Sequence, residues 1–305
     1  MFKKYHYHII LHLIIFMWGF TGILGKLIHL PPLSIVWYRI LIAFFSLLIG
    51  LYFLKMPMKI SNRKTFFKTL GVGLLVTLHW LTFYKSISLS TASLGILCLS
   101  TTTLHVTWLE PLLTGKKFSF LEFGMGLLVV VGIYIVSEDF SDNEFLSLLY
   151  GLGSAMCAAL FSIFNAQLAK TESSSAISLH EMGIGLVALT GVIFTQGKMN
   201  ASFFSMTLSD FLWLLFLGIL CTSVAFLVTI EVLKKLGAFT VSLSINLEPV
   251  YTILLAVILL DEHTLLSPKF YLGAGVIILV LLANAVVKNR MGKRTLFNTK
   301  NASQT

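Results

Sequence analysis

A chain of 305 residues that is 57% hydrophobic and 11% charged, with a mean hydropathy of +0.90, is not a water-soluble globular domain. Such domains carry about 25% charged residues. A net charge of +9 would suggest nucleic acid as the partner of a soluble protein, but here the basic residues lie in short connections and tails, where they orient a protein in a bilayer.

Apolar stretches of about 20 residues, the length that crosses the hydrocarbon core, recur from end to end. They predict an all-α polytopic membrane protein with ten transmembrane helices. The expected spans are 8–28, 32–55, 66–87, 91–114, 120–137, 148–170, 177–197, 209–233, 237–260 and 269–287. The first begins with a signal-like charge pattern. Its apolar run continues to Ile28 without a small-residue cleavage site, which predicts a retained helix. Pro31-Pro32, Ser61-Asn62, Gly115-Lys116-Lys117, Gly197-Lys198 and Ser267-Pro268 punctuate the connections. Apart from Arg39, which lies inside a span, every Lys and Arg except Lys26, Lys85, Lys198 and Lys269 falls on the side of the N-terminus. This asymmetry predicts a cytoplasmic-membrane protein with both termini cytoplasmic. The three cysteines, Cys98, Cys157 and Cys221, lie inside apolar stretches and form no metal-ligand spacing, so no metal, disulfide framework or cofactor is expected.

The chain also repeats itself. When the first half is laid on the second with Tyr84 on Ile230, the stretch Tyr84–Ala92 falls on Ile230–Ala238, and both feed a span end into the next span. Five spans per copy is odd, so a tandem second copy enters the membrane upside down. The prediction is two inverted five-helix repeats, 8–137 and 148–287, followed by a basic cytoplasmic tail, 288–305. A solute site then belongs near the midplane between the repeats.

Several motifs in order resemble one family. They are Trp18-Gly19 followed by Lys26; Pro32 and then Tyr38-Arg39-Ile40-Leu41-Ile42-Ala43; His79 to Lys85 followed by Cys98-Leu99-Ser100; and Glu248-Pro249, Asp261-Glu262 and Gly273. Together they resemble the drug/metabolite transporter superfamily, in its ten-helix form with two EamA-type domains. The resemblance implies passage of small metabolites, amino acids or drugs through a central cavity without ATP. Consistent with this, the chain contains no GxxxxGK[ST] sequence. The halves are not equivalent. Glu248 falls on Thr102, not on the Glu110-Pro111 pair, and Glu262 falls on Lys116.

Candidate cavity residues follow from polarity at bilayer depth. A charged group at a helix centre costs about 2.5–3.5 kcal/mol on insertion scales, so it marks a polar interior. Cys98, Thr101, Thr102 and His105 share one face of a continuous fourth helix, for cavity lining or for helix–helix hydrogen bonds. His79 and Phe83 share a face of the third span with Thr82 and Ser86. His79 is a proton-coupling candidate or, alternatively, a neutral histidine donating to a carbonyl. Trp18 and Trp80 could stack on a planar solute or simply pack. Arg39 is deep enough to require a partner, and Asn165, Ser244, Asn246 and Tyr251 complete the cavity candidates. Glu248 is the main proton-coupling candidate; its alternative role is to satisfy backbone freed by a kink at Pro249. Arg39 toward one side and Glu181 toward the other could orient a zwitterion. Gly22, Gly25, Gly124, Gly126, Gly273 and Gly275 are expected at close helix contacts.

The expected activity is secondary-active transport of a small organic metabolite such as an amino acid, by alternating access, with export favoured by the family resemblance alone. Multidrug or cationic-compound efflux is the alternative. A membrane enzyme acting on lipid-linked groups is less well supported, because no HExxH or Asp-rich phosphate motif is present. The expected partners are the small-molecule solute, protons and membrane lipids, not nucleic acid.

Overall fold

The computed structural model describes residues 2–302 except 138–139, 230–231, 233–234, 237–243 and 246; side chains are described between His6 and Val287, apart from those residues and Ala285. The helices are α1 (Phe2–Leu27), α2 (Pro32–Phe53), α3 (Arg63–Leu89), α4 (Ala92–Leu99), α5 (Thr102–Thr114), α6 (Phe120–Ser137), α7 (Asp142–Leu168), α8 (Ser174–Thr195), α9 (Ala201–Phe204), α10 (Leu208–Leu215), α11 (Glu248–Leu259) and α12 (Pro268–Ala302). α10 runs into a π-helical segment, Phe216–Val224. Among the described residues, eight helical stretches are long and apolar enough to cross a bilayer, one of them formed by α4 and α5 together. Glu248–Leu259 and Pro268–Asn284 are shorter apolar helices in the ninth and tenth places. Part of the expected ninth span, including Asn246, lies outside the described residues.

Local chemistry sets the helix starts. Asn62 accepts the Thr65 N–H at 2.9 Å to begin α3, and Thr91 accepts the Leu94 N–H at 3.0 Å to begin α4. Ser141 with Glu144 and Thr207 with Asp210 form capping boxes on α7 and α10. Gly115, at φ +71°, ends α5 in the left-handed region.

Packing pairs respect an exchange of the two halves. α3 lies along α7 while α1 meets the π-helical segment after α10; α3 meets α8 while α2 meets that same segment. Likewise α1 packs on α11 as α7 packs on α4 and α5, and α6 packs on α12. The molecule has its polarity inside: Phe120, Phe53 and Leu112 are more than 70% exposed, whereas Arg39 and Glu181 are at most 4% exposed. That distribution suits a lipid surround, which cannot satisfy ionic groups.

Three sequence expectations change. The fourth span is not one uninterrupted α-helix. Ser100 N donates to Leu97 O at 3.1 Å and Thr101 N to Cys98 O at 3.0 Å, a 3₁₀ tightening between α4 and α5. This tightened turn divides the span into two helices with different neighbours, α4 against α7 and α11, and α5 against α7 and α6. Pro249 is not in the interior of α11, and residues 237–243 and 246 before it lie outside the described residues. It stands in the first turn of α11, where its missing N–H has no intrahelical partner to lose. Of the six glycines, an added Cβ would lie 2.9 Å from Thr252 at Gly22, 3.0 Å from Tyr84 at Gly25, 2.3 Å from Leu104 at Gly126 and 2.5 Å from Gly132 O at Gly273. Gly124 and Gly275 face open space, so they set no helix spacing.

Candidate functional site

A cavity of about 500 Å³ lies at the centre of the bundle. Trp18 and Thr21 come from α1, Arg39 from α2, and His79, Trp80 and Phe83 from α3. Phe161 and Asn165 of α7, Ser178 and Glu181 of α8, and Glu248 of α11 close the ring. The lining continues through Leu99, Ile177, Phe226, Thr229 and Ile245, and reaches Ala169 and Ser174 at the α7–α8 connection.

Arg39 is the fixed cation of this chamber. Its guanidinium lies 4.1 Å from the centre of the Trp80 ring. Nη1 donates to the Tyr84 hydroxyl at 3.3 Å and Nε to Thr222 Oγ1 at 3.1 Å. It forms no ion pair with any described carboxylate. The π-helical segment makes this arrangement possible. Its wider turn lets Thr222 Oγ1 donate to Leu217 O and Ser223 Oγ to Gly218 O, five residues back. Ser223 also binds α2, with Ser46 Oγ at 2.5 Å and Ala43 O at 3.2 Å. Gly218 lets α2 approach, because a Cβ there would lie 2.6 Å from Ile42.

The carboxyls face the same space. Glu248 stands at the first turn of α11, where the helix N-terminus favours negative charge. Thr252 Oγ1 is 3.1 Å from Glu248 O and 2.9 Å from Gly19 O, which ties that turn to α1. Glu181 is 2% exposed, and the Asn165 side chain lies beside its carboxyl. Glu181 Oε1 and Asn165 Oδ1 are both buried without a hydrogen-bond partner. A buried polar atom left alone costs about 1–3 kcal/mol, and both of these residues line the cavity.

His79 is anchored from behind. Its Nδ1 lies 3.0 Å from Ser154 O and 2.8 Å from Ser154 Oγ, and Ser154 Oγ donates to His79 O at 2.8 Å. With Ser154 Oγ committed to His79 O, Nδ1–H donates to the Ser154 carbonyl and Nε2 is left as the acceptor. The ring stacks on Phe83 at 6.2 Å and meets Phe161 edge-on at 5.4 Å.

The structure thus brings Trp18, Arg39, His79, Trp80, Phe83, Asn165 and Glu248 to one cavity. The polar face expected on the fourth span is not there. Cys98 is fully buried where α4 crosses Gly151 of α7, and Thr101 Oγ1 donates to Cys98 O. His105 meets Trp108 edge-on, and neither it nor Thr102 is part of the lining. Leu99 is the lining residue from this span. Ser244 is half-buried outside the lining. The Tyr251 hydroxyl is 3.0 Å from His12 Nδ1, and neither residue is part of the lining. Asn246 lies outside the described residues. Thr21, Phe161, Ser178, Phe226 and Thr229 were not anticipated. The signal was helical spacing, since Thr21 follows Trp18 by three, Phe161 precedes Asn165 by four and Ser178 precedes Glu181 by three.

At one end the halves are clamped together. The Glu262 carboxylate accepts the Ala92 N–H at 2.7 Å and the Ser93 N–H at 3.1 Å. Lys26 Nζ donates to Ser90 O beside it. Asp210 Oδ1 accepts the His29 N–H at 2.8 Å. At the other end, Lys116, the repeat counterpart of Glu262, pairs with Glu110 of its own half.

A bundle of apolar spans in two exchangeable halves around a polar cavity is the architecture of a multispan membrane transporter. The sequence pattern of the EamA-like transporter family fits the chain twice, over residues 7–138 and 145–285, and the chain belongs to that family. A solved crystal structure matches with a TM-score of 0.65 at 16% identity, covering 93% of this chain and 99% of its own, which shows the shared fold. No curated protein matches the sequence.

Proposed function

We propose that this protein is a secondary transporter of small zwitterionic organic solutes such as amino acids. It works by alternating access in the cytoplasmic membrane, with both termini inside, and its net direction is export. The observation that carries the reading is Arg39: a guanidinium without a carboxylate partner among the described residues, stacked on Trp80 and sharing a cavity with Glu181 and Glu248. Arg39 receives a solute carboxylate, and the carboxyls receive its ammonium group or a proton. Aromatic walls from Trp18, Phe83 and Phe161 take the apolar part of the solute. The lining at the α7–α8 connection and the clamp at Glu262 support an inward-open state. Glu248 exchanges the coupling proton.

The test is flux of a metabolite panel into proteoliposomes under a preset pH gradient. Solute should accumulate chemically unchanged. Glu248→Gln should abolish pH-driven accumulation while solute-for-solute exchange persists. Fully pH-driven flux by that variant rejects the coupling role. Two carboxyls against a single cation favour a second reading, efflux of organic cations, under which Arg39→Gln spares transport of cations and of them alone.

A further inference from the structure

The geometry points to a binding site for one anionic phospholipid on the outer face of α8, separate from the central cavity. An apolar groove of about 700 Å³ runs between α2, α3 and α8. Gly183 forms its floor: a Cβ there would lie 3.1 Å from the Phe44 ring. Phe66 and Leu74 form one wall and Val187 the other, with Leu74 42% and Val187 73% exposed. From Phe66 to Leu74 the helix rises about 12 Å, enough to seat much of an acyl chain. The groove ends in a second recess of about 390 Å³ that shares Met58, Phe66 and His180 and adds Lys59 and Arg63.

Charge identifies the occupant. The residues lining both recesses include Lys59, Arg63 and His180 and no carboxylate. Arg63 stacks 5.5 Å from the Phe67 ring, and neither Lys59 nor Arg63 has an ion pair among the described residues. The neighbouring acid, Glu172, is held by Ser61 N at 3.2 Å. His180 Nδ1 lies 2.8 Å from Ala176 O and donates to it, leaving Nε2 for a ligand. An apolar slot capped by unpaired cations matches a phosphodiester headgroup with its chain below it, and neither a neutral lipid nor a soluble anion satisfies both parts. The opposite face of α8 carries Ser178 and Glu181 into the central cavity, so an occupied groove bears directly on that wall.

The experiment is native mass spectrometry of the full chain purified from bilayers of equal phosphatidylcholine and phosphatidylglycerol. Retained lipid should be enriched in phosphatidylglycerol, about fivefold for each basic side chain engaged. Lys59→Gln with Arg63→Gln should reduce the enrichment to near one, and Arg63→Lys should keep it. Lys117→Gln with Lys170→Gln, which line neither the groove nor its recess, should leave it unchanged. Equal retention of the two lipids, or equal loss in the distant pair, overturns the site. Thermal stabilisation by soluble glycerol phosphate that equals the effect of phosphatidylglycerol overturns the lipid assignment. None of these readouts depends on transport.

Discussion

The Glu262 carboxylate and the Ala92 amide, 2.7 Å apart, join the second half of the chain to the start of α4 in the first. An acid beside a helix N-terminus satisfies free N–H groups and complements the helix dipole. The counterpart of Glu262 in the first half is Lys116, and a cation cannot accept such bonds. The two ends are therefore joined differently: Glu262 binds the start of α4 at one, and at the other the Glu172 carboxylate accepts the Ser61 N–H at 3.2 Å.

Loss of the Glu262 clamp should loosen the end it holds. Glu262→Gln removes charge from two hydrogen bonds, each worth about 1.5–3 kcal/mol when charge-assisted. Ser93 is fully buried beside the clamp. A Ser93→Cys reporter should react with an impermeant maleimide about tenfold faster or more when Glu262→Gln is added, the ratio expected from about 1.4 kcal/mol. An unchanged labelling rate would show that the contact does not hold the gate.

Arg39 should bind solute through a geometry that lysine cannot copy. A lysine keeps the charge but loses the planar stack on Trp80 and the fork to Tyr84 and Thr222. Arg39→Lys should weaken solute affinity by about tenfold to a hundredfold, matching one or two lost bonds to a charged group. Thr222→Val should weaken it less, because Tyr84 and Trp80 still hold the guanidinium. Equilibrium binding of a transported solute decides both.

His79 should be a wall and not a proton carrier. Its Nδ1–H is committed to Ser154, and a glutamine can make the same bond to a carbonyl. The pH profile of flux should keep its shape in His79→Gln, although the rate falls. A profile that flattens would return the proton role to this residue.

Two glycines on one helix should behave in opposite ways. A Cβ on Gly273 would lie 2.5 Å from the Gly132 carbonyl, and backbone cannot yield as a side chain can. Gly273→Ala should lower the melting temperature in detergent by forcing α12 from α6, at a cost of about 1–3 kcal/mol. Gly275→Ala, in open space, should be neutral or mildly stabilising.

The fold was largely legible because the bilayer imposes simple rules. Span length and apolarity follow from thickness, and an odd repeat inverts itself. The site was legible where a residue is costly in lipid whatever its neighbours: Arg39, His79, Asn165 and Glu248 had to face something polar. It was not legible on the fourth span. Cys98, Thr101, Thr102 and His105 were placed on one face by assuming 100° per residue, but where such a face points depends on its neighbours, and here Cys98 packs on Gly151 of α7 and His105 lies edge-on to Trp108. The π-helical turn behind Arg39 was equally hidden, since no residue type requires it.

The sequence alone determined that the chain lives in a membrane, in two copies of one unit, with charges that require a shared interior. Composition and periodicity are enough for that, because the cost of exposing a charge or a backbone amide to lipid does not depend on tertiary detail. Only the tertiary structure decided which helix faces meet, that Glu181 joins Arg39 and Glu248 at one cavity, and that Glu262 binds the start of α4. Those outcomes depend on small departures from ideal helix geometry and on contacts between distant parts of the chain, which no local pattern records.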